Sequence, residues 1–187
     1  MVKRNLSFGV CLLILLSLPS IKELMESSMV GQMIVQLPLL ILSGFLIGKA
    51  VKTKIPVDQK GFNNGGISGM LLAIFTILFW LLPRSIDASI NDEMFSIAKF
   101  TTLPLLAGFP IALSWERLHI NGRNFIWANL ISMLVVMGWL YLNSPVRLCN
   151  NYLLDQQVSL GKTFLFLTGV LIISGIFRSF MVDHRTN

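Results

Sequence analysis

Apolar residues gather into six runs along the chain, at about 5–20, 29–48, 65–83, 98–114, 124–142 and 162–181. Each run approaches or reaches the roughly 20 residues that a helix needs to cross a bilayer. The connections between them are short, which leaves no room for a separately folded domain. The pattern predicts one all-α domain over residues 1–187: a polytopic transmembrane helix bundle of about six spans. Between the third and fourth runs, "RSIDASINDEMFSIAK" places Ile86, Ile90, Met94 and Ile97 at helical spacing with acids opposite. That pattern predicts a short amphipathic helix at the outer surface.

Polar residues interrupt the second run in an ordered way. Advancing about 100° per residue, Met25, Met29, Gln32, Gln36 and Ser43 fall within an arc of about 60°. Amides are costly in hydrocarbon unless they find partners, so this stripe should face protein. Ser20-Ile21-Lys22-Glu23 matches a capping box. A helix from there to Gly48 would be about 42 Å long, with its first turns beyond the hydrocarbon. The fifth run carries Asn129 and Ser132, three apart, and Asn129 is expected to be buried with Gln32 and Gln36 as an interhelical hydrogen-bonding amide. Asp155 is the expected N-cap of the sixth span, and Asp155-Gln156 a candidate partner contact.

Small residues and prolines predict how the helices meet. Gly44 and Gly48 form one small-xxx-small pair and Gly65 and Gly69 another, which suggests that the second and third spans pack together. Pro104 and Pro110 predict kinks in the fourth span. Divided into two three-span halves, the chain shows no residue similarity between them, so an inverted repeat is not expected.

Charge orients the bundle. Charged residues are 13% of the chain, against about 25% in soluble domains, and mean hydropathy is +0.72. With the N-terminus cytoplasmic, Lys3, Arg4, Lys49, Lys52, Lys54, Lys60, Arg117, Arg123, Arg178 and Arg185 lie inside; only Lys22, Arg84, Lys99, Arg147 and Lys162 lie outside. Six of the nine acids lie outside. The positive-inside rule then places both termini in the cytoplasm, as in a bacterial inner membrane. The basic pI follows from this topology and gives no reason to invoke nucleic acid. Trp80, Trp115, Trp127 and Trp139 fall near span ends, as an interfacial aromatic belt requires. "MVKRNLSFGVCLLILLSLPS" also has the form of a secretory signal, but Leu18 spoils the cleavage pattern, so an uncleaved first span is expected.

The chemistry on offer is sparse. The two histidines, His119 and His184, lie outside the spans, and CxxC, HExxH and a phosphate-binding loop are missing from the sequence. No charge sits in the middle of a span, Arg84 and Lys99 read as solvated outer charges, and enzymatic catalysis is not expected. Cys11 and Cys149 lie at different levels and should not pair. Met25, Met29 and Met33 repeat every four residues. Thioethers suit Cu(I), which makes these three the candidate metal ligands, with apolar packing as the alternative.

"MESSMVGQMIVQLPLLILSG" (25–44) and "LCNNYLLDQQVSLGKTFLFLTGVLI" (148–172) resemble the CtaG-like membrane proteins associated with assembly of copper-containing cytochrome oxidases. The resemblance implies an assembly role beside a copper enzyme. Where the family tends to carry histidine near methionine, this chain has Gln32 and Gln36, which implies a relative whose copper ligands have been lost. The expectation is a non-enzymatic accessory subunit or assembly factor of a larger membrane complex, a copper-dependent oxidase or monooxygenase being the kind implied. Its expected partners are other integral membrane subunits and the bilayer, with bound lipids and no cofactor of its own. The alternatives are a small homodimeric transporter or channel subunit, its path lined by Gln32, Gln36 and Asn129, and a copper-handling chaperone.

Overall fold

The computed structural model describes residues 2–54, 63 and 65–183. Lys60 and Arg185, used above to orient the chain, and His184 lie outside the described residues. Everything regular among those described is helical. Helices α1 (Val2–Ser17), α2 (Pro19–Glu26), α3 (Leu37–Lys54), α4 (Ile67–Leu81), α5 (Pro83–Asn91), α6 (Glu93–Thr102), α7 (Phe109–Ser114), α8 (Ile120–Asn143) and α9 (Leu154–Asp183) follow in order. A π-helical turn, Gly31–Gln36, leads into α3, and a second, Leu103–Gly108, joins α6 to α7.

Four helical stretches are long and apolar enough to cross a membrane: Gly31–Thr53, Glu93–Ser114, Ile120–Asn143 and Leu154–Phe177. The number reaches six if each of two bent pairs counts as one span. The bends have one cause. Leu18 and Leu82 each precede a proline, which excludes the α region for the residue before it. Both are extended, at φ −64°, ψ 131° and φ −66°, ψ 130°. The chain therefore turns by 71° between α1 and α2 and by 70° between α4 and α5.

The parallel goes further. "LPSIKELMESSMVGQMIVQLPLL" (18–40) and "LPRSIDASINDEMFSIAKFTTLPLL" (82–106) both open on Leu-Pro and close on Leu-Pro-Leu-Leu, and Gly-Phe follows each, at 44–45 and 108–109. Each block is built alike: a helix, a Leu-Pro bend, a short helix, a break, then a long helix carrying a π-helical turn. The similarity lies between two-helix blocks, so a comparison of three-span halves misses it.

The first compact unit, residues 1–120 with 149–151, contains both blocks. α3 is its centre and packs against α1 on one side and the Leu103–Ser114 segment on the other; that segment in turn packs against α4. The expected pairing of the second and third spans is thus corrected. A Cβ at Gly44 would stand 2.1 Å from the Pro104 carbonyl oxygen, and one at Gly108 would stand 2.2 Å from that of Ile41. Gly48 lies against Phe109 and Ala112, and Gly66 and Gly69 against Ser114. Small-residue spacing announces a close approach without naming the partner: the fourth span, with its own Gly108, meets Gly44, Gly48 and Gly69, whereas a Cβ at Gly65 would meet nothing within 4 Å.

Other expectations also change. The long helix from Ser20 is broken at Ser27 and Ser28, whose hydroxyls bond locally, to the Leu24 carbonyl at 2.7 Å and from the Gly31 N–H at 3.0 Å. Such bonds compete with helix continuation. The capping box is not used: α2 starts at Pro19 behind Leu18. The outer amphipathic helix is two helices, because Asp92 is extended and its carboxylate accepts the Met94 N–H at 2.9 Å, starting α6 afresh. Ile86 is buried in α5 while Met94 and Ile97 in α6 are exposed. Pro104 sits inside the second π-helical turn, where Phe109 N–H reaches the Pro104 carbonyl, and the helix runs on to Ser114 without a break. Trp80 is buried instead of lying in an interfacial belt, its Nε1–H bonded to Thr102 Oγ1 at 2.8 Å. Trp127 and Trp139 are exposed. Glu116 pairs with Lys52 at 2.5 Å.

Residues 149–151 are clipped to α5. Asp87 accepts the Asn150 N–H at 2.7 Å and the Asn151 side-chain amide at 3.2 Å. Cys149 is buried beside the Pro83 carbonyl. Burial, with a smaller contribution from the Asp87 charge, pushes its thiol up to about 12, so it stays protonated and unreactive. Cys11 is exposed, and both thiols are free.

The second unit, residues 121–148 with 152–187, is the α8–α9 hairpin. Gly138 and Gly161 bring the two helices together: a Cβ on either would stand 3.0–3.2 Å from the other's carbonyl oxygen. Tyr141 stacks on Phe164 at 6.1 Å. Gln157 closes the turn: its amide group bonds the Tyr141 and Val146 carbonyls and accepts the Leu148 N–H at 2.9 Å.

Candidate functional site

The two Leu-Pro bends swing α2 and α5 across one end of the first unit, where each block's long helix reaches the other block's short one. From the first block, Gln32 Nε2 donates to Ser89 Oγ on α5 at 3.3 Å. From the second, Lys99 Nζ on α6 donates to Glu26 Oε1 on α2 at 2.6 Å. Gln36 ties the two together: its Oε1 accepts from Lys99 at 3.1 Å and its Nε2 donates to the same Glu26 oxygen at 3.4 Å. Lys99, Gln32 and Gln36 are 0% exposed. The Glu26 side chain keeps only 10% of its surface.

The π-helical turn at Gly31–Gln36 contributes to this arrangement. Its wider turn buries Gln32, Met33 and Gln36 together, and such turns recur at functional sites. Phe100 lies beneath both ammonium groups, with Lys99 Nζ at 5.4 Å and Lys22 Nζ at 6.0 Å from its ring centre. An ion pair removed from water needs close geometry and further hydrogen bonds to offset desolvation; Gln36 supplies them to both partners. Lys99 is therefore no solvated outer charge. It lies six residues inside its helix, and the covering surface comes from α2, which the sequence assigned to a straight extension of the second span.

Glu26 forms the floor of an open cleft of about 540 Å³, whose walls include Ser17, Lys22, Glu23, Ser27 and Ile90. Lys22 and Glu23 carry opposite charges there, and the two ion pairs found among the described residues involve neither.

The other residues singled out from sequence divide sharply. Met29 and Met33 are buried, at 1% and 3% exposure, and Met25 is half-buried. Ser43 is buried and spends its hydroxyl on the Leu40 carbonyl at 2.7 Å. Among the described residues no three His, Cys, Asp or Glu side chains group as metal ligands would. Asn129 departs from expectation: it lies in the second unit, exposed together with Ser132. α8 is apolar nearly all round, so periodicity could not indicate which face is covered; its buried positions are Gly138 and Tyr141. Asp155 is exposed in the first turn of α9, after the helix has begun at Leu154. Gln156 Oε1 is buried without a hydrogen-bond partner among the described residues, while its neighbour Gln157 holds the turn.

Compared with known proteins, the chain matches no family model, no curated protein and no solved structure.

Proposed function

We propose that this chain is a non-enzymatic, six-span protein of a bacterial inner membrane, with both termini cytoplasmic, that serves as an accessory subunit or assembly factor of a larger membrane complex. The observation carrying this reading is Asn129. It stands near the middle of the apolar helix Ile120–Asn143, exposed, and no hydrogen bond joins its side chain to another described residue. Ser132 is exposed one turn away on the same face. An amide facing hydrocarbon is left unsatisfied unless another helix meets it, and such interhelical bonds contribute about 0.6–2 kcal/mol. No described group of its own hairpin meets it, and the partner we assign to it is a span of another subunit carrying its own polar group. The resemblance of residues 25–44 and 148–172 makes a copper-dependent oxidase or monooxygenase the complex to examine first.

Native electrophoresis after gentle solubilisation tests this. The wild-type chain is expected in a heteromeric band, and Asn129→Leu should reduce recovery in that band about three- to thirtyfold, the ratio equivalent to one interhelical bond. Migration only as a free monomer overturns the reading.

A second reading has one observation in its favour. Two like blocks whose irregular helices meet at buried polar groups is an arrangement used by transporters. A homodimer as the sole native species would favour it.

A further inference from the structure

We propose that the cleft above Glu26 binds the zwitterionic headgroup of a membrane phospholipid, an anionic phosphate beside a primary ammonium. The cleft is a built site. Its floor is a charged side chain nine-tenths buried, fixed by Lys99 and Gln36. Because Lys99 neutralises Glu26, the charges left to a ligand are Lys22 and Glu23, one of each sign. A singly charged ligand satisfies one and repels the other; a dipolar ligand satisfies both. Lys22 would take the phosphate and Glu23 the ammonium, with the Ser17 and Ser27 hydroxyls within the same walls.

Comparing the two blocks shows that the fold does not require the cation at Lys22 or the carboxylate at Glu26. Placing Pro83 on Pro19 sets Ile86 on Lys22, Asp87 on Glu23 and Ile90 on Glu26. In the second block the places of Lys22 and Glu26 are apolar, with Ile86 fully buried, while Asp87, in the place of Glu23, accepts from Asn150 and Asn151. A cation beside that acid is thus particular to the first block. The location fits a headgroup: α2 turns 71° away from the apolar α1, so it runs across the end of the bundle, where the polar layer of a bilayer would lie.

The test is native mass spectrometry of the purified full chain in detergent. Equimolar palmitoyl-oleoyl phosphatidylethanolamine, phosphatidylcholine and phosphatidylglycerol are added, with soluble O-phosphoethanolamine in a separate arm. Phosphatidylethanolamine is expected to be retained about fivefold over phosphatidylglycerol, which has no cation for Glu23, the ratio equivalent to one charge contact at a membrane surface, and to be preferred over phosphatidylcholine because a methylated ammonium has no N–H to donate to a carboxylate. The Lys22→Met/Glu23→Gln double variant, which removes both charges and keeps an apolar stem over Phe100, should lose that preference while keeping its melting temperature. Lipid-independent binding of O-phosphoethanolamine alone would assign the chemistry to a free zwitterion and overturn the lipid assignment. Equal retention of all three lipids, or a preference unchanged in the double variant, overturns the site. Neither result bears on whether Asn129 meets another subunit.

Discussion

Lys99→Met is expected to lower stability by about 3–5 kcal/mol, because it leaves the Glu26 carboxylate buried without its cation. For a chain of this size that corresponds to a fall of roughly 10 °C in melting temperature. The loss is the penalty of an orphaned charge more than the net worth of the pair. Lys99 Nζ holds Glu26 at 2.6 Å and Gln36 at 3.1 Å in a place where Lys99 has no exposed surface. Removing both charges in Glu26→Gln/Lys99→Met should therefore recover most of the loss, and the double-mutant cycle should show strong coupling. Additive effects, or a Lys99→Met protein as stable as wild type, would mean that the pair does not hold α2 and α6 together.

Gly44→Ala is the second large effect. An α-helix ordinarily gains about 1 kcal/mol when alanine replaces glycine, but here the new methyl would meet the Pro104 carbonyl oxygen at 2.1 Å. The nearest atoms are all backbone, so no side chain can turn aside and the two helices must separate. Overpacking of this kind costs about 1–3 kcal/mol beyond the lost propensity gain. Gly169→Ala in α9 is the control, since a Cβ there meets nothing within 4 Å. Thermal melts of the two variants should move in opposite directions. A Gly44→Ala shift equal to that of Gly169→Ala would remove the close approach of α3 to the Leu103–Gly108 turn.

The apolar runs made the helices legible, because a stretch of about 20 apolar residues has few other uses. Burial of Gln32, Gln36 and Ser43 was legible from helical angles alone, even though a π-helical turn intervenes. What was not legible depended on partners. Lys99, near the start of its apolar run, reads as solvated; only the bend at Pro19, which lays α2 over it, makes it a buried charge. The bend itself had a signal in Leu18-Pro19, repeated at Leu82-Pro83. Comparing two-helix blocks would have found that repeat and the Gly44–Gly108 contact with it. Asn129 failed as a buried amide for a different reason: amphipathicity identifies a covered face only when the other face is polar, and α8 offers no such contrast.

Photocrosslinking at that residue is the most direct test of a place in a larger complex. With p-benzoylphenylalanine at position 129, irradiation of intact membranes should give a discrete adduct with a different polypeptide. The same group at Phe166, 74% exposed on α9, serves as the reference for ordinary exposed surface. Adducts at position 129 with lipid only, or only with a second copy of this chain, would contradict the proposal.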